Sequence, residues 1–398
     1  MNETPPRRIY LDYNATCPLA EEVKAALREA LDEPFGNPSS SHWAGCAARE
    51  AVEAARAAVA RLLGAEPTEV VFTSGGSEAN NHALKGVFWR AVTSTPKPHF
   101  VTSAIEHPAV RQPLAFLSSL GAEVTYVPVD GFGRVDPDAV RRALRPETVL
   151  VSIMHANNEV GTLQPIADIA RIARERDILF HTDAAQTVGK VPVDVCSIEC
   201  DFLSVAAHKF YGPKGVGALY VRSGVELEPL VHGAGHERGR RAGTENLLLL
   251  IGLGAAARLA GEHPVEEHLR RLGNRLLQRL KEALGEDVQL NGHPTERLPN
   301  TVNVSFRGVS GRELLQQIPE LAASTGSACH EHAATVSHVL AAMGLSRDRQ
   351  LGAVRLSVGR MTTEDEVDEA AEKLCAAYRM LYRQRSVVRS SVRSEAGS

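Results

Sequence analysis

The stretch TVLVSIMHANNEVGTLQPIADIARIARERDILFHTDAAQ (Thr148–Gln186) decides the fold. It begins with the apolar run TVLVSIM and closes on a second apolar run, DILF, and polar residues follow each of them. Between the two runs, QPIADIARIARERD has apolar residues three and four positions apart, which predicts an amphipathic helix. A helix between two short apolar runs is typical of a β-α-β unit with parallel strands.

The same alternation extends in both directions along the chain. EVVFTSGG, HFVTSAIEH and AEVTYVPV precede the unit, and DFLSVAAHK and GVGALYVR follow it, which makes about seven strands. We therefore predict an α/β fold with a mostly parallel seven-stranded sheet and helices on both faces. In such sheets, ligands bind beyond the carboxyl ends of the strands.

Length and pattern predict two domains. A single core stops growing at roughly 250–300 residues, and this chain has 398. After Gly261 a long amphipathic helix, the run NTVNVSF, the run AVRLSVG and a closing helix follow one another. We expect a large domain over 15–260, a small α+β domain made of 1–14 and 261–385, and a disordered tail over 386–398.

Composition excludes several classes of protein. The net charge of −4 gives no reason to expect nucleic acid or an anionic membrane as partner. The N-terminus lacks the apolar segment of a signal peptide, and the longest apolar run, LLLLIGLGAAARLA, is shorter than the roughly 20 residues that span a bilayer. The six cysteines form no CxxC pair. We expect a cytoplasmic protein with reduced thiols.

Glycines lie between one predicted strand and the helix that follows it. In TSGGSEANN, Gly75, Gly76 and Ser77 occupy this turn. Glycine lets backbone N–H groups approach an anion, and a helix N-terminus is electropositive, so the turn is a candidate phosphate site. It matches neither GxGxxG nor the P-loop pattern, and an ordinary strand-to-helix turn is the alternative.

Two further strand ends carry polar residues. ILFHTDAAQ places Asp183 at the tip of a buried strand, with Gln186 one turn later. A carboxylate there needs a cationic partner, such as a protonated pyridine nitrogen, unless it only caps a helix. AIEHPAV places His107 in the equivalent position, where an imidazole can stack on a flat heterocycle or have a structural role.

Lys209 follows another strand, in SVAAHKFYGPKG (Ser204–Gly215). A lone lysine is usually a solvated charge, but a desolvated one is a good Schiff-base amine. Phosphate, ring nitrogen, ring face and aldehyde are the four groups by which pyridoxal phosphate is held. The predicted sheet offers a candidate residue for each of them, so we predict a pyridoxal-phosphate enzyme.

The chain resembles the cysteine desulfurases of the NifS/IscS type, within the fold-type I pyridoxal-phosphate enzymes. The resemblance covers nearly the whole chain. It is carried by motifs in the same order: IYLDYNATCP, FGNPSSSHWAG, TSGGSEANN, EHPAV, NNEVGTLQPI, HTDAAQTVGK, HKFYGPKGVGALY, RRAGTEN, STGSAC and AVRLSVGRMTTEDEV.

The resemblance implies a role for individual residues. Lys209 would form the Schiff base, Asp183 would pair with the pyridinium nitrogen, and His107 would stack on the ring. The other implied cofactor contacts are Gly76, Ser77, Asn158, Gln186, His208 and, at the position usually held by serine, Ala206. Thr244 would reach the cofactor of a neighbouring subunit, which implies a homodimer. Arg355, assisted by Asn37 and Asn158, would bind the substrate carboxylate.

The resemblance also implies the reaction. Cys329, in STGSACHEHAAT, would attack the sulfur of L-cysteine, giving L-alanine and a persulfide on Cys329. The persulfide sulfur would pass to an acceptor such as an iron–sulfur scaffold protein. A selenocysteine lyase is the nearest alternative, and a transaminase or an inactive sulfur-transfer scaffold is more remote.

The chain departs from the family pattern at two places. Ala206 removes a serine hydroxyl from the phosphate site, which favours weaker cofactor retention and is also seen in selenocysteine lyases. His330, Glu331 and His332 follow the cysteine in place of small residues. An imidazolium there would lower the thiol pKa. Exposed loop polarity is the plain alternative, and a metal pair has weak support, so no metal site is expected.

Overall fold

The computed structural model describes residues 7–325 and 337–395, the last ten by backbone alone. Its strands are β1 (Ile9–Tyr10), β2 (Val70–Thr73), β3 (His99–Ser103), β4 (Glu123–Val127), β5 (Thr148–Ser152), β6 (Leu179–Asp183), β7 (Phe202–Ala206), β8 (Gly217–Val221), β9 (Val288–Asn291), β10 (Thr301–Phe306), β11 (Leu321–Ala322) and β12 (Ala353–Ser357). Its α-helices are α1 (Glu21–Glu29), α2 (Trp43–Leu63), α3 (Gly76–Ala91), α4 (Pro108–Ser119), α5 (Pro137–Ala143), α6 (Ile166–Arg174), α7 (Val195–Ile198), α8 (Leu247–Glu262), α9 (Glu266–Leu284), α10 (Gly311–Gln316), α11 (His338–Ala342), α12 (Arg347–Leu351) and α13 (Glu364–Glu395).

The main sheet has seven strands in the order β2-β8-β7-β6-β5-β3-β4. The five neighbouring strands β7, β6, β5, β3 and β4 are parallel to one another. Strand β8 is antiparallel to both of its neighbours, β7 and β2. The prediction of a mostly parallel seven-stranded sheet is therefore confirmed. The parallel strands end at one edge of the sheet, where the polar residues of the motifs come together.

Helices cover both faces of this sheet because successive side chains of a strand point to opposite sides. Val101 and Leu203 pack in a hydrophobic cluster with residues of α2, α6 and α8. Their sequence neighbours Phe100 and Phe202 pack in a second cluster with residues of α3 and α4. A parallel sheet buried on both faces explains why its strands are continuous apolar runs.

A separate hydrophobic cluster lies outside the main sheet. Ile9 and Leu11 join apolar residues of α9, β10, β12 and α13 in it. The three-stranded sheet β12-β10-β9 and the pair β1-β11 belong to this part of the chain. We propose that this cluster is the core of the expected small domain, to which the N-terminal segment contributes.

The C-terminus differs from its prediction. α13 continues to Glu395, so 386–395 are helical, although 386–398 were expected to be a disordered tail. Extending an existing helix adds one hydrogen bond per residue without the cost of a new nucleus, so a segment with few apolar residues can still continue it.

Candidate active site

A cavity of about 460 Å³ lies at the carboxyl ends of the parallel strands. It receives side chains from the turn after β2, from the start of α4 and from the ends of β6 and β7. Nine of the residues that the sequence assigned to the site line it: Gly76, Ser77, His107, Asn158, Asp183, Gln186, Ala206, His208 and Lys209.

Lys209 lies in the short helical turn that follows β7. Its Nζ donates hydrogen bonds to the carbonyl oxygens of Asn14, at 2.6 Å, and Ala15, at 2.8 Å. Burial and, to a smaller extent, the positive charge of Arg355 lower the pKa of this amine to about 8. A substantial neutral fraction near neutral pH makes Lys209 a competent nucleophile toward an aldehyde.

Asp183 is the last residue of β6 and is almost fully buried. Its Oδ2 accepts a hydrogen bond from Asn80 Nδ2 at 2.7 Å, and its Oδ1 accepts one from the backbone N–H of Ala185 at 3.0 Å. These donors hold the carboxylate in one orientation toward the cavity. Within the described residues, the buried Asn80 Oδ1 has no hydrogen-bond partner, which leaves an acceptor beside the carboxylate.

The turn before α3 provides a site for an anion. Gly75 has φ +148°, a backbone conformation that side chains rarely adopt, and Gly76 begins the 16-residue helix α3. A Cβ on Gly76 would lie 3.3 Å from the Cβ of Ala206 and would narrow the cavity. The helix N-terminus and Ser77 thus face the open space from one side, an arrangement that binds phosphate.

Two histidines border the cavity in fixed orientations. His107 caps α4, and its Nδ1 accepts a hydrogen bond from Ala109 N at 3.1 Å. The Nδ1 of His208 lies 3.1 Å from Thr16 Oγ1. Burial and then the charge of Lys209 lower the pKa of His208 to about 4, and burial also lowers the pKa of His107. Both rings are therefore neutral near pH 7.

Asn14, which the sequence left unassigned within IYLDYNATCP, links several site residues. Its carbonyl oxygen accepts hydrogen bonds from both Lys209 Nζ and Gln186 Nε2, the latter at 3.0 Å. Its side-chain Oδ1 accepts one from Lys190 Nζ at 3.1 Å, and its Nδ2 donates to Thr301 Oγ1 at 2.8 Å. The order of the motifs gave the only sequence signal for this residue.

Glu106 is a second residue that the sequence left unassigned. Its side chain is fully buried, and its Oε1 accepts hydrogen bonds from Ser103 Oγ, at 2.5 Å, and from Met154 N, at 3.0 Å. Burial raises the pKa of this carboxyl to about 8. A neutral Glu106 therefore joins the end of β3 to the residues after β5, directly before His107.

Three of the predicted residues are not among those that line the cavity. Arg355 is buried in β12 and bonded to Asp12 and to the carbonyl oxygen of Asn158. Thr244 and Asn37 are exposed, and Asn37 Oδ1 accepts a hydrogen bond from Ser39 N at 2.9 Å. Cys329, like His330 and His332, lies outside the described residues.

A family model described as aminotransferase class-V matches residues 9–370. The chain belongs to the aminotransferase class-V family. Enzymes of this family use pyridoxal phosphate, so the cofactor prediction is confirmed. The residues described above fit this group, since an anion site, a strand-end carboxylate, an imidazole and a lysine amine surround one cavity.

This class-V chain has relatives along nearly its full length. It is 47% identical over 372 residues to a protein of Dictyoglomus turgidum named cysteine desulfurase IscS, covering 92% of this chain and 94% of the relative. A solved structure named NifS-like protein aligns with a TM-score of 0.86 at 38% identity, covering 94% and 99% of the two chains. A structure described as SspA in complex with cysteine aligns with a TM-score of 0.79 at 40% identity, covering 88% and 98%. The resemblance to NifS/IscS desulfurases is confirmed.

The described residues contain neither a membrane-spanning helix nor a metal-binding cluster. Over residues 7–325 and 337–395, no helix combines the length and the apolar composition that crossing a membrane requires. In the same ranges, no cluster of three or more His, Cys, Asp or Glu side chains is arranged to hold a metal ion.

Proposed function

We propose that this protein is a pyridoxal-phosphate-dependent cysteine desulfurase that converts L-cysteine into L-alanine. The observation that carries the proposal is the amine of Lys209. It lies half-buried at the cavity wall, is held by two carbonyl oxygens and has a pKa of about 8. The names of the relatives support cysteine as the substrate.

When bound, pyridoxal phosphate supplies an electron sink for breaking bonds at the substrate α-carbon. The chain's residues would hold and orient it. Lys209 would bind its aldehyde carbon, and the N-terminus of α3 with Ser77 would bind its phosphate. Asp183, fixed by Asn80 and Ala185, would hold a proton on the ring nitrogen, and neutral His107 would contact the ring face.

Proton transfer at the substrate would also fall to Lys209. The carbonyl oxygens of Asn14 and Ala15, which bind the Lys209 amine in this structure, would hold it in place for this transfer. A pKa near 8 suits an amine that accepts a proton and returns it at neutral pH. With a pKa of about 4, His208 is a much weaker base than Lys209, which would leave Lys209 as the base on this side of the cavity.

Cys329 would receive the sulfur. Its thiolate attacks the substrate sulfur, the bond between that sulfur and the substrate β-carbon breaks, and the β-carbon takes up a proton. L-cysteine and the Cys329 thiol thus become L-alanine and a Cys329 persulfide, with no external oxidant or reductant. A sulfur-acceptor protein, such as an iron–sulfur scaffold, would then take the outer sulfur, and the working unit would be a homodimer in which the exposed Thr244 reaches the partner's cofactor.

Mass spectrometry of the Cys329 peptide after incubation with L-cysteine tests this proposal. We expect one added sulfur atom and an equal amount of L-alanine in the absence of an acceptor. Cys329→Ser should abolish both, whereas Cys196→Ser, at an exposed cysteine, should leave both unchanged. Alanine without added sulfur on Cys329, or much faster turnover of L-selenocysteine than of L-cysteine, would contradict it.

A further inference from the structure

Arg355 is held by two oxygen atoms, one of which belongs to an acidic side chain. Its Nη2 donates to Asp12 Oδ1 at 2.8 Å, and its Nη1 donates to the carbonyl oxygen of Asn158 at 2.9 Å. Its buried Nε has no hydrogen-bond partner within the described part of the chain. A guanidinium has five N–H donors, so these two contacts leave donors for a second carboxylate.

Asn158 connects this ion pair to the cavity. Its carbonyl oxygen binds Arg355, while Asn158 itself lines the cavity. The charges of Arg355 and Asp12 both reach the amine at the cavity wall, where they change the pKa of Lys209 in opposite directions. Arg355 therefore adjoins the cavity at Asn158, within electrostatic reach of the amine of Lys209.

The two partners of the ion pair differ in exposure. The Arg355 side chain is 5% exposed, and the Asp12 side chain is 20% exposed. Asp12 forms a β-bridge with Ser357, the last residue of β12, and it comes two residues before Asn14, which binds Lys209. A buried arginine without a partner is strongly destabilising, so an internal carboxylate stabilises Arg355 whenever no substrate is bound.

From this geometry we propose that Asp12 is a positioning residue that acts through Arg355 and sets the affinity for the substrate carboxylate. It fixes the guanidinium of Arg355 before substrate arrives and then shares it with the substrate carboxylate, which limits how tightly that carboxylate binds. The inference rests on the proposed function, in which Arg355 binds the carboxylate of L-cysteine. Asp12 thereby keeps the affinity for amino acids moderate, so that the product L-alanine, which has the same carboxylate, is released.

The Asp12→Asn variant of the holoenzyme separates the effect of the negative charge of Asp12 from the effect of its hydrogen bond to Arg355. The amide keeps an oxygen that accepts from Arg355 Nη2 but removes the negative charge beside the incoming carboxylate. We expect KM for L-cysteine to fall about tenfold, with kcat changed by less than about twofold. Propionate, which has a carboxylate but no amine to react with the cofactor, should inhibit about tenfold more tightly.

Two further variants complete the test. Asp12→Ala also removes the acceptor, so Arg355 should lose its orientation and kcat/KM should fall at least tenfold. Asp368→Asn is the matched control, because Asp368 pairs with Arg275 in the small domain and is similarly exposed, at 26%. It should change neither KM nor propionate inhibition. If the ion pair had a purely structural role, Asp12→Asn would change the free energy of unfolding but not the inhibition constant of propionate.

Unchanged KM and unchanged propionate inhibition in Asp12→Asn would overturn the inference while leaving the proposed function intact. Absence of L-alanine production by the wild-type protein would instead overturn the proposed function. Calorimetric titration with propionate does not require turnover, so it decides the role of Asp12 in that case as well.

Discussion

Two lysines, the half-buried Lys209 and the buried Lys190, both bind Asn14, and they differ in what surrounds the amine. Lys209 Nζ donates to the backbone carbonyl oxygens of Asn14 and Ala15 at the wall of the main cavity. Lys190 Nζ donates to two side-chain oxygens, Asn14 Oδ1 and Gln186 Oε1, and is not among the residues that line that cavity. Burial is the main cause of the lowered pKa in both, to about 8 for Lys209 and about 7 for Lys190.

This difference teaches that a lowered pKa alone does not identify a reactive amine. Desolvation acts on any buried lysine, whether or not a substrate can reach it. Lys209 differs from Lys190 because its amine is accessible from the cavity. The amine of Lys190 is instead bound by the side-chain amide oxygens of Asn14 and Gln186. We therefore propose that Lys209 performs the chemistry and that Lys190, which binds Asn14 and Gln186, has a positioning role.

Removing the amine of Lys209 is the most severe test of the comparison. Lys209→Ala should lower L-alanine production from L-cysteine by a factor of about 10³ or more, since it removes the amine proposed both to bind the aldehyde and to move the proton. Borohydride reduction followed by peptide mapping should attach the cofactor to Lys209 in the wild type and to no peptide in the variant. Full activity in Lys209→Ala, or reductive labelling of Lys190, would reverse the two assignments.

Burial also shifts the pKa of an acidic side chain, Glu106, which lies next to His107 in the sequence. With a pKa near 8 in the folded protein against an ordinary value of 4.5, the folded state keeps a proton that the unfolded chain releases between these pH values. The free energy of unfolding should therefore fall as pH rises from about 4.5 to about 8. Glu106→Gln mimics the neutral acid and should remove this part of the slope, a difference on the order of 3 kcal/mol between pH 5 and pH 8.

Denaturant unfolding of wild type and Glu106→Gln at several pH values measures this difference directly. Glu123→Gln is a suitable control, because the Glu123 side chain is exposed and pairs with Arg145 at the surface. Its unfolding free energy should follow that of the wild type at each pH. Parallel curves for wild type and Glu106→Gln would show that Glu106 is ionised at neutral pH.

The sequence predicted the half of the site that follows strands. Asp183, Lys209 and Gly76 could be found because an apolar run ending in a polar residue or a glycine is visible without knowledge of tertiary contacts. The sheet was predictable for the same reason, since strands buried on both faces are continuous apolar runs.

The other half depends on contacts between distant parts of the chain. Asn14 follows a strand of only two residues, β1, and its side chain bonds to Thr301, 287 positions away in the sequence. Asp12 and Arg355 are 343 positions apart. No local period marks such residues, so motif order could indicate the segment but not the partner. Segment 386–395 was mispredicted for a different reason. Its own sequence does not favour a helix, and its helical structure depends on the preceding turns of α13.

Lys190→Met tests the positioning role. The substitution leaves Asn14 Oδ1 its bond from Asn300 Nδ2 and removes the bond to Gln186 Oε1 in a buried site. We expect a loss of about 2 kcal/mol in the free energy of unfolding. Activity should fall far less than in Lys209→Ala, because the catalytic amine remains. Lys281→Met, at an exposed lysine of α9, is the control and should leave stability unchanged.

The smallest expected effect is at Ala206, on the phosphate side of the cavity. Ala206 lies at the end of β7, and its Cβ is 3.3 Å from the position that a Cβ on Gly76 would occupy, so a hydroxyl at 206 would point into the anion site. A hydrogen bond to a charged group contributes about 1.5–3 kcal/mol before the lost solvation of both partners is counted. Ala206→Ser should therefore lower the cofactor dissociation constant only severalfold, as measured by fluorescence titration of the apoenzyme. An unchanged constant would mean that the N-terminus of α3 and Ser77 already satisfy the phosphate, and that the alanine carries no cost in cofactor retention.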